Sequence, residues 1–209
     1  MRPVGDFLDS LEENNFAVLY QCRWDAELAD EVTHGLRRCL SSVHDPEYLR
    51  RGLAALHRIG APASAAIPDV IPLVWDEGDI VARTAILTLA SIGLHTPQEV
   101  ISVLIAAAGI DVLRKDAMFA LISFGRSAES SLDVFQKALK SPEARMRNLA
   151  LRGIASVASI EVARPLIALG LADRSKQVRN YSQKLRARLK ANAGKHPKPM
   201  SISSQPRKS

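Results

Sequence analysis

The chain has 209 residues, 47% of them hydrophobic and only 5% aromatic, which is enough apolar material for one buried core with a tail. Cys22 and Cys39 are the only cysteines and show no CxxC spacing, and the longest apolar run, residues 100–109, is about half of the roughly 20 residues a bilayer span needs. A disulfide scaffold and a membrane protein are therefore both set aside, and the expected compartment is a reducing cytoplasm. The formal charge of +6 divides unevenly: residues 174–209 hold 11 of the 28 Lys and Arg and no acid, residues 1–173 carry a net −5, and residues 1–31 set two cations against eight acids.

In chain order, residues 6–22 read as one or two N-terminal capping helices, so residues 1–25 are assigned to a cap. Residues 26–40 supply a first amphipathic helix. A repeat follows. The segments 48–60, 81–93, 113–125, 146–158 and 178–190 start 33, 32, 33 and 32 residues apart and agree column by column. Their first column reads Tyr48, Val81, Leu113, Met146, Val178, and their fifth Gly52, Ala85, Ala117, Ala150, Ser182. The ninth reads Leu56, Leu89, Leu121, Ile154, Arg186, and the twelfth Ile59, Ile92, Phe124, Val157, Leu189. These positions lie on one face of a helix, and the small fifth column marks where a neighbouring helix comes close. Gly60, Gly93 and Gly125 stand where a helix end favours a positive φ.

Between these segments lie other apolar stretches, 67–75, 98–108, 130–140 and 161–171, each followed by a short polar turn, which predicts paired helices. In the last repeat the core columns turn polar at Ser182 and Arg186, as a terminal helix with one wet face requires. After Lys190 the periodicity stops. Residues 191–209 concentrate Pro, Ser and cations and are predicted to form a basic disordered tail.

The repeated pattern of an apolar helix, an Asp or Pro turn, a basic helix start, then alanines, leucine and glycine resembles the HEAT-repeat family and its phycobilisome-lyase-type variants. It is carried by Asp45-Pro46 with Arg50, Asp79 with Val81 and Arg83, Asp111 with Leu113 and Lys115, Pro142 with Met146 and Arg147, and Asp173 with Val178 and Arg179. The resemblance covers roughly residues 26–190 and implies an all-α, right-handed α-solenoid of about five HEAT-like helix pairs. It also implies that the second helix of each pair lines the concave surface. The basic column slips by one residue between Arg50 and Arg83 and the later Arg147 and Arg179, so a continuous inter-repeat Asp–Arg ladder is not assured.

For catalysis the sequence offers no GxGxxG, P-loop, HExxH or GxSxG motif, and the five histidines are scattered. The expectation is a non-enzymatic protein with no cofactor and no metal. Asp79/Arg83, Asp111/Lys115 and Glu143/Arg147 are acid-to-base pairs at i,i+4 that read as local helix supports. A partner would meet the basic residues off the core face: Arg50, Arg51, Arg83, Lys115, Arg147, Arg152, Arg179 and Lys184, with Arg186 and Arg188 in the last helix. Leu87, Phe119 and Ile122 lie near the edge of the core face and fit either a protein-binding groove or an edge contact with the neighbouring repeat, and Trp24 and Trp75 fit either packing at inter-repeat or cap contacts or anchoring of a partner.

The leading functional expectation is an interaction scaffold for a protein partner, an acidic one by the charge argument. The alternative is a nucleic-acid binder using the Arg/Lys track and the basic C-terminus. The resemblance extends to HEAT-like alkylpurine DNA glycosylases, whose aromatic cleft is not matched here, and to lyase-type chaperones of a pigment-bearing subunit. The acidic start and basic end also suggest self-association, and the compact Ala/Leu-rich repeats look bacterial.

Overall fold

The computed structural model describes residues 26–42 and 45–193. Among these residues there are ten α-helices and no strand, and they follow one another as five pairs. In order, α1 (Ala26–Ser42) is followed by α2 (Pro46–Ile59), α3 (Ile67–Val70) by α4 (Asp79–Ile92), α5 (Pro97–Ala107) by α6 (Arg114–Ser123), α7 (Leu132–Ala138) by α8 (Ala144–Val157), and α9 (Ile160–Leu169) by α10 (Lys176–Ala193). The second helices form one layer, α2 on α4, α4 on α6, α6 on α8 and α8 on α10, and each pair closes on itself through α1–α2, α3–α4, α5–α6, α7–α8 and α9–α10 contacts. The expected all-α solenoid of about five helix pairs is the fold observed. The expected cap over residues 1–25 lies outside the described residues. α10 runs to Ala193, three residues past the expected end of the repeats, and the rest of the expected tail also lies outside the described residues.

The repeat columns explain the layer. Gly52, Ala85, Ala117, Ala150 and Ser182 are all buried, and at both ends of the column the close neighbour belongs to the first helix of the same pair: a Cβ on Gly52 would stand 3.2 Å from Leu40 of α1, and Ser182 lies against Gly170 at the end of α9. Leu56, Leu89, Leu121 and Ile154 are fully buried beside them, each removing an aliphatic side chain from water at a gain of about 1.5–3 kcal/mol. Arg186, in the same column of the last repeat, is exposed, because no further helix among the described residues covers α10. Hydroxyls stitch the layer together. Ser91 Oγ donates to His57 O at 2.8 Å and Ser156 Oγ to Ile122 O at 3.0 Å, in both cases from one second helix to the one before.

Local signals set the helix ends. Asp45 Oδ1 accepts the Tyr48 N–H at 2.8 Å and Pro46 opens α2, a side-chain cap followed by a residue whose φ is preset for a helix. Gly60 and Gly125 have φ of 74° and 53°, as expected. Gly93 corrects that expectation, since its φ is −86°. It is glycine for packing: a Cβ there would stand 2.7 Å from Val100 Cγ2. The first helices are more broken than the second because of proline. Pro68 and Pro72 leave α3 only four residues long, continued by a 3₁₀ turn over Pro72–Trp75, and Pro165 sits inside α9.

Gly153 marks one of the closest approaches within a pair. It is buried in α8, and any Cβ built on it overlaps the fully buried Phe135 ring of α7. Gly153→Val is expected to destabilise the protein by about 1–3 kcal/mol through overpacking. A chemical-denaturation midpoint unchanged from the wild type would contradict this contact.

Candidate interaction surface

The arginines of the second helices fall into two columns with different tasks. One column, at the second position of the repeat segment, reads Leu49, Ala82, Arg114, Arg147, Arg179. In the last three repeats its guanidinium turns back to the carbonyls that end the preceding turn. Arg114 donates to Ala108 O and Gly109 O, Arg147 to Ser141 O and Pro142 O at 2.8 Å, and Arg179 to Asp173 O and Arg174 O at 2.7 and 3.1 Å. The acceptors lie five and six residues upstream each time, so one long side chain closes each turn. Carbonyls left over at a helix end gain a charged donor in this way.

The other column, one residue later, reads Arg50, Arg83, Lys115, Asn148, Asn180. The apparent slip of the basic column is the replacement of the second kind of residue by the first. No single basic track results. Arg50 and Arg51 both bond Glu47, whose carboxyl is pulled down to about 2 by Arg50 first and then Arg51. Arg83 Nε reaches Asp116 of the next repeat at 2.6 Å.

Arg147 is a correction to its expected place on the partner surface. Its side chain is 7% exposed and meets the 13% exposed Asp173 through two bonds of 2.7 and 2.8 Å. Arg179 is half-buried in its turn clamp. These two arginines hold the solenoid together. Lys115, Arg152, Lys184, Arg186 and Arg188 are exposed.

The i,i+4 pairs are also corrected. Arg83 bonds Asp116 instead of Asp79, Arg147 bonds Asp173 instead of Glu143, and Asp111 is taken by Arg114. An i,i+4 pair on a wet helix face gains only a few tenths of a kcal/mol, so a partner in the next repeat, bonded in a more shielded place, wins. Arg37–Asp69, Arg83–Asp116 and Arg147–Asp173 bridge repeats one to two, two to three and four to five. Between the third and fourth, Arg126 donates instead to Val157 O.

The exposed face of the second-helix layer carries a third column, at the seventh position: Ala54, Leu87, Phe119, Arg152, Lys184. Leu87 and Phe119 are exposed, while Ile122 is half-buried against the core. The Arg152 guanidinium lies over the Phe119 ring, 5.8 Å from its centre, so the apolar and cationic halves of the column meet in a cation–π contact. Beside them a groove of about 350 Å³ is lined by Ile122, Arg152, Ser156, Tyr181, Leu185 and Arg188. The partnership of Phe119 with Arg152 was open to sequence reading, since the two share a column 33 residues apart. The turn clamps were not, because a side chain folding back on its own turn leaves no periodic apolar mark.

Trp75, open in the sequence between packing and anchoring a partner, is 45% exposed. Trp24 lies outside the described residues. Among the described residues no group of three or more His, Cys, Asp or Glu side chains could hold a metal ion, and no helix is long and apolar enough to cross a membrane.

The Arg147–Asp173 pair makes acid sensitivity testable. The Arg147 bonds hold the Asp173 carboxyl below its ordinary 3.8, with the Ser175 N–H adding to them and burial opposing. A depressed carboxylate contributes stability above the unfolded value that is lost as pH falls through the folded one. Arg147→Met should therefore lower the thermal midpoint near neutrality, and its gap from the wild type should narrow as pH drops below about 3.8, leaving the part owed to the Ser141 and Pro142 carbonyl bonds. A gap that stays constant through that acid window would contradict the pairing.

No family model matches the chain, and no curated protein matches it. Among solved structures it is similar to a designed armadillo repeat protein, with a TM-score of 0.60 and 14% identity over 90% of this chain and 100% of that one. At that identity the likeness concerns the fold alone. The chain is an all-helical solenoid with the armadillo-like arrangement of stacked helical repeats.

Proposed function

We propose that the chain is a HEAT-like, non-catalytic interaction scaffold that binds an acidic protein segment across the exposed face of its second helices. Two helices per repeat, an acidic or proline turn and a basic residue opening the second helix support the HEAT reading within the armadillo-like fold. One observation carries the partner chemistry. The seventh-position column runs from apolar Leu87 and Phe119 to cationic Arg152 and Lys184 over four adjacent helices. A segment crossing them meets an apolar patch first and positive charge second. Arg188 and the groove beside Tyr181 extend the cationic end. Of the remaining candidate residues, Lys115 and Arg186 contribute charge at the margins, whereas Arg50, Arg51 and Arg83 already share acids of this chain.

The nucleic-acid alternative rests on the same cations. The Leu87–Phe119 half of the column favours protein, because a phosphate backbone gains nothing from an exposed leucine. Affinity capture from a native extract, run in parallel with wild type and a Phe119→Ser/Lys184→Ser variant, tests the reading. The expected outcome is a stoichiometric protein bound by the wild type and weakened about thirtyfold in the variant, the scale of losing an interfacial anchor of about 2 kcal/mol. Duplex DNA bound with a steep salt slope, with no protein retained, would establish the alternative.

A further inference from the structure

Nine large apolar side chains are exposed among the described residues, and four of them, Trp75, Ile80, Ile110 and Val112, stand on just two adjacent turns. Ile80 and Val112 occupy the same repeat position, the one before the first core column, and are 65% and 57% exposed. The two turns lie side by side. Arg83 and Asp116, about one helical turn beyond Ile80 and Val112, are 2.6 Å apart across the repeat boundary. Acids flank the apolar residues at matching positions, Asp79 beside Ile80 and Asp111 beside Val112, and both are exposed. Arg114 takes one oxygen of Asp111, whose side chain nevertheless stays 86% exposed. Residues 75–116, the two turns with the helix starts beside them, hold six acids against three cations, Arg83, Arg114 and Lys115. This edge is apolar and negative, distinct in place and in sign from the surface assigned to the partner.

We propose that the occupant of this edge is the chain's own segment 194–209. Charge selects it: the segment carries Lys195, Lys198, Arg207 and Lys208 and no acid. Its two large apolar residues, Met200 and Ile202, lie between those cation pairs, matching an apolar strip with acids on its flanks. Length permits it. α10 opens at the turn edge, and its 18 residues carry the chain about 27 Å away. Two or three helix spacings of about 8–10 Å separate the fifth repeat from the third and second. Sixteen extended residues cover about 55 Å, so the segment reaches the edge of its own chain as well as that of a second copy.

Zero-length carbodiimide cross-linking of the full chain, read by mass spectrometry, tests the docking. The amines of Lys195, Lys198 and Lys208 are expected to link to Glu77, Asp79 and Asp111. The links should fade at about 1 M salt, where the Debye length falls to about 3 Å. They should also be lost from an Ile80→Ser/Val112→Ser variant whose thermal melt matches the wild type, as it should for two exposed residues. Mixing isotope-labelled with unlabelled chains assigns the links to the same or a second copy, and either result supports the proposal. No links from these lysines, links directed to residues 1–31, or links that persist undiminished in the variant would overturn it.

Discussion

Everything in this solenoid depends on the small column of the second helices. Gly52, Ala85, Ala117, Ala150 and Ser182 let each second helix lie close on the first helix of its own pair, and that closeness brings the large column, Leu56 through Ile154, out of water. A longer side chain at any of these positions would wedge two helices apart and expose the aliphatic contacts on both sides. The layer also fixes the surface. Because each second helix repeats the rotation of the one before, a residue at the seventh position of one repeat stands beside its counterpart in the next. Leu87, Phe119, Arg152 and Lys184 form a column for that reason alone.

Polar residues take over where the apolar columns end. In the first two repeats the second position is filled by buried Leu49 and Ala82, and the turns close through Asp45 and Asp76 side chains that accept backbone N–H groups. In the last three repeats the position is arginine, which also closes the turn through its carbonyls, while in the last two the Ser141 and Asp173 side chains still accept backbone N–H groups. The exchange makes the C-terminal half of the layer richer in cations without making all of those cations available to a partner. Arg147 shows the difference most plainly, since it is among the most deeply placed arginines and bonds a carboxylate and two carbonyls at once.

Much of this was legible in the sequence. The column stack gave the five pairs, the buried face and the terminal character of α10, because a repeat states the same steric requirement five times. The pairs drawn along the helices misled, since spacing along one helix cannot see a partner 26 to 33 residues away that is drier and better aligned. Gly93 looked like its neighbours Gly60 and Gly125, yet its role is to leave room for Val100, a contact between helices and not a property of the turn. Size alone leaves Trp75 open between packing and anchoring a partner, and the 3₁₀ turn opened by Pro72 places it on the exposed turn edge. For the candidate surface, the cations could be named from the sequence, but which of them were already bonded could not.

The small column seats each second helix on the first helix of its own pair, and each pair then couples to its immediate neighbours, as a stack of nearest-neighbour contacts requires. Amide hydrogen exchange of an Ala117→Leu variant tests it most directly. Faster exchange is expected in α6, in α5 of the same pair and in the α4 and α8 helices beside it, with protection largely kept in α2 and α10. A uniform loss of protection across all five second helices, or no loss at all, would contradict it.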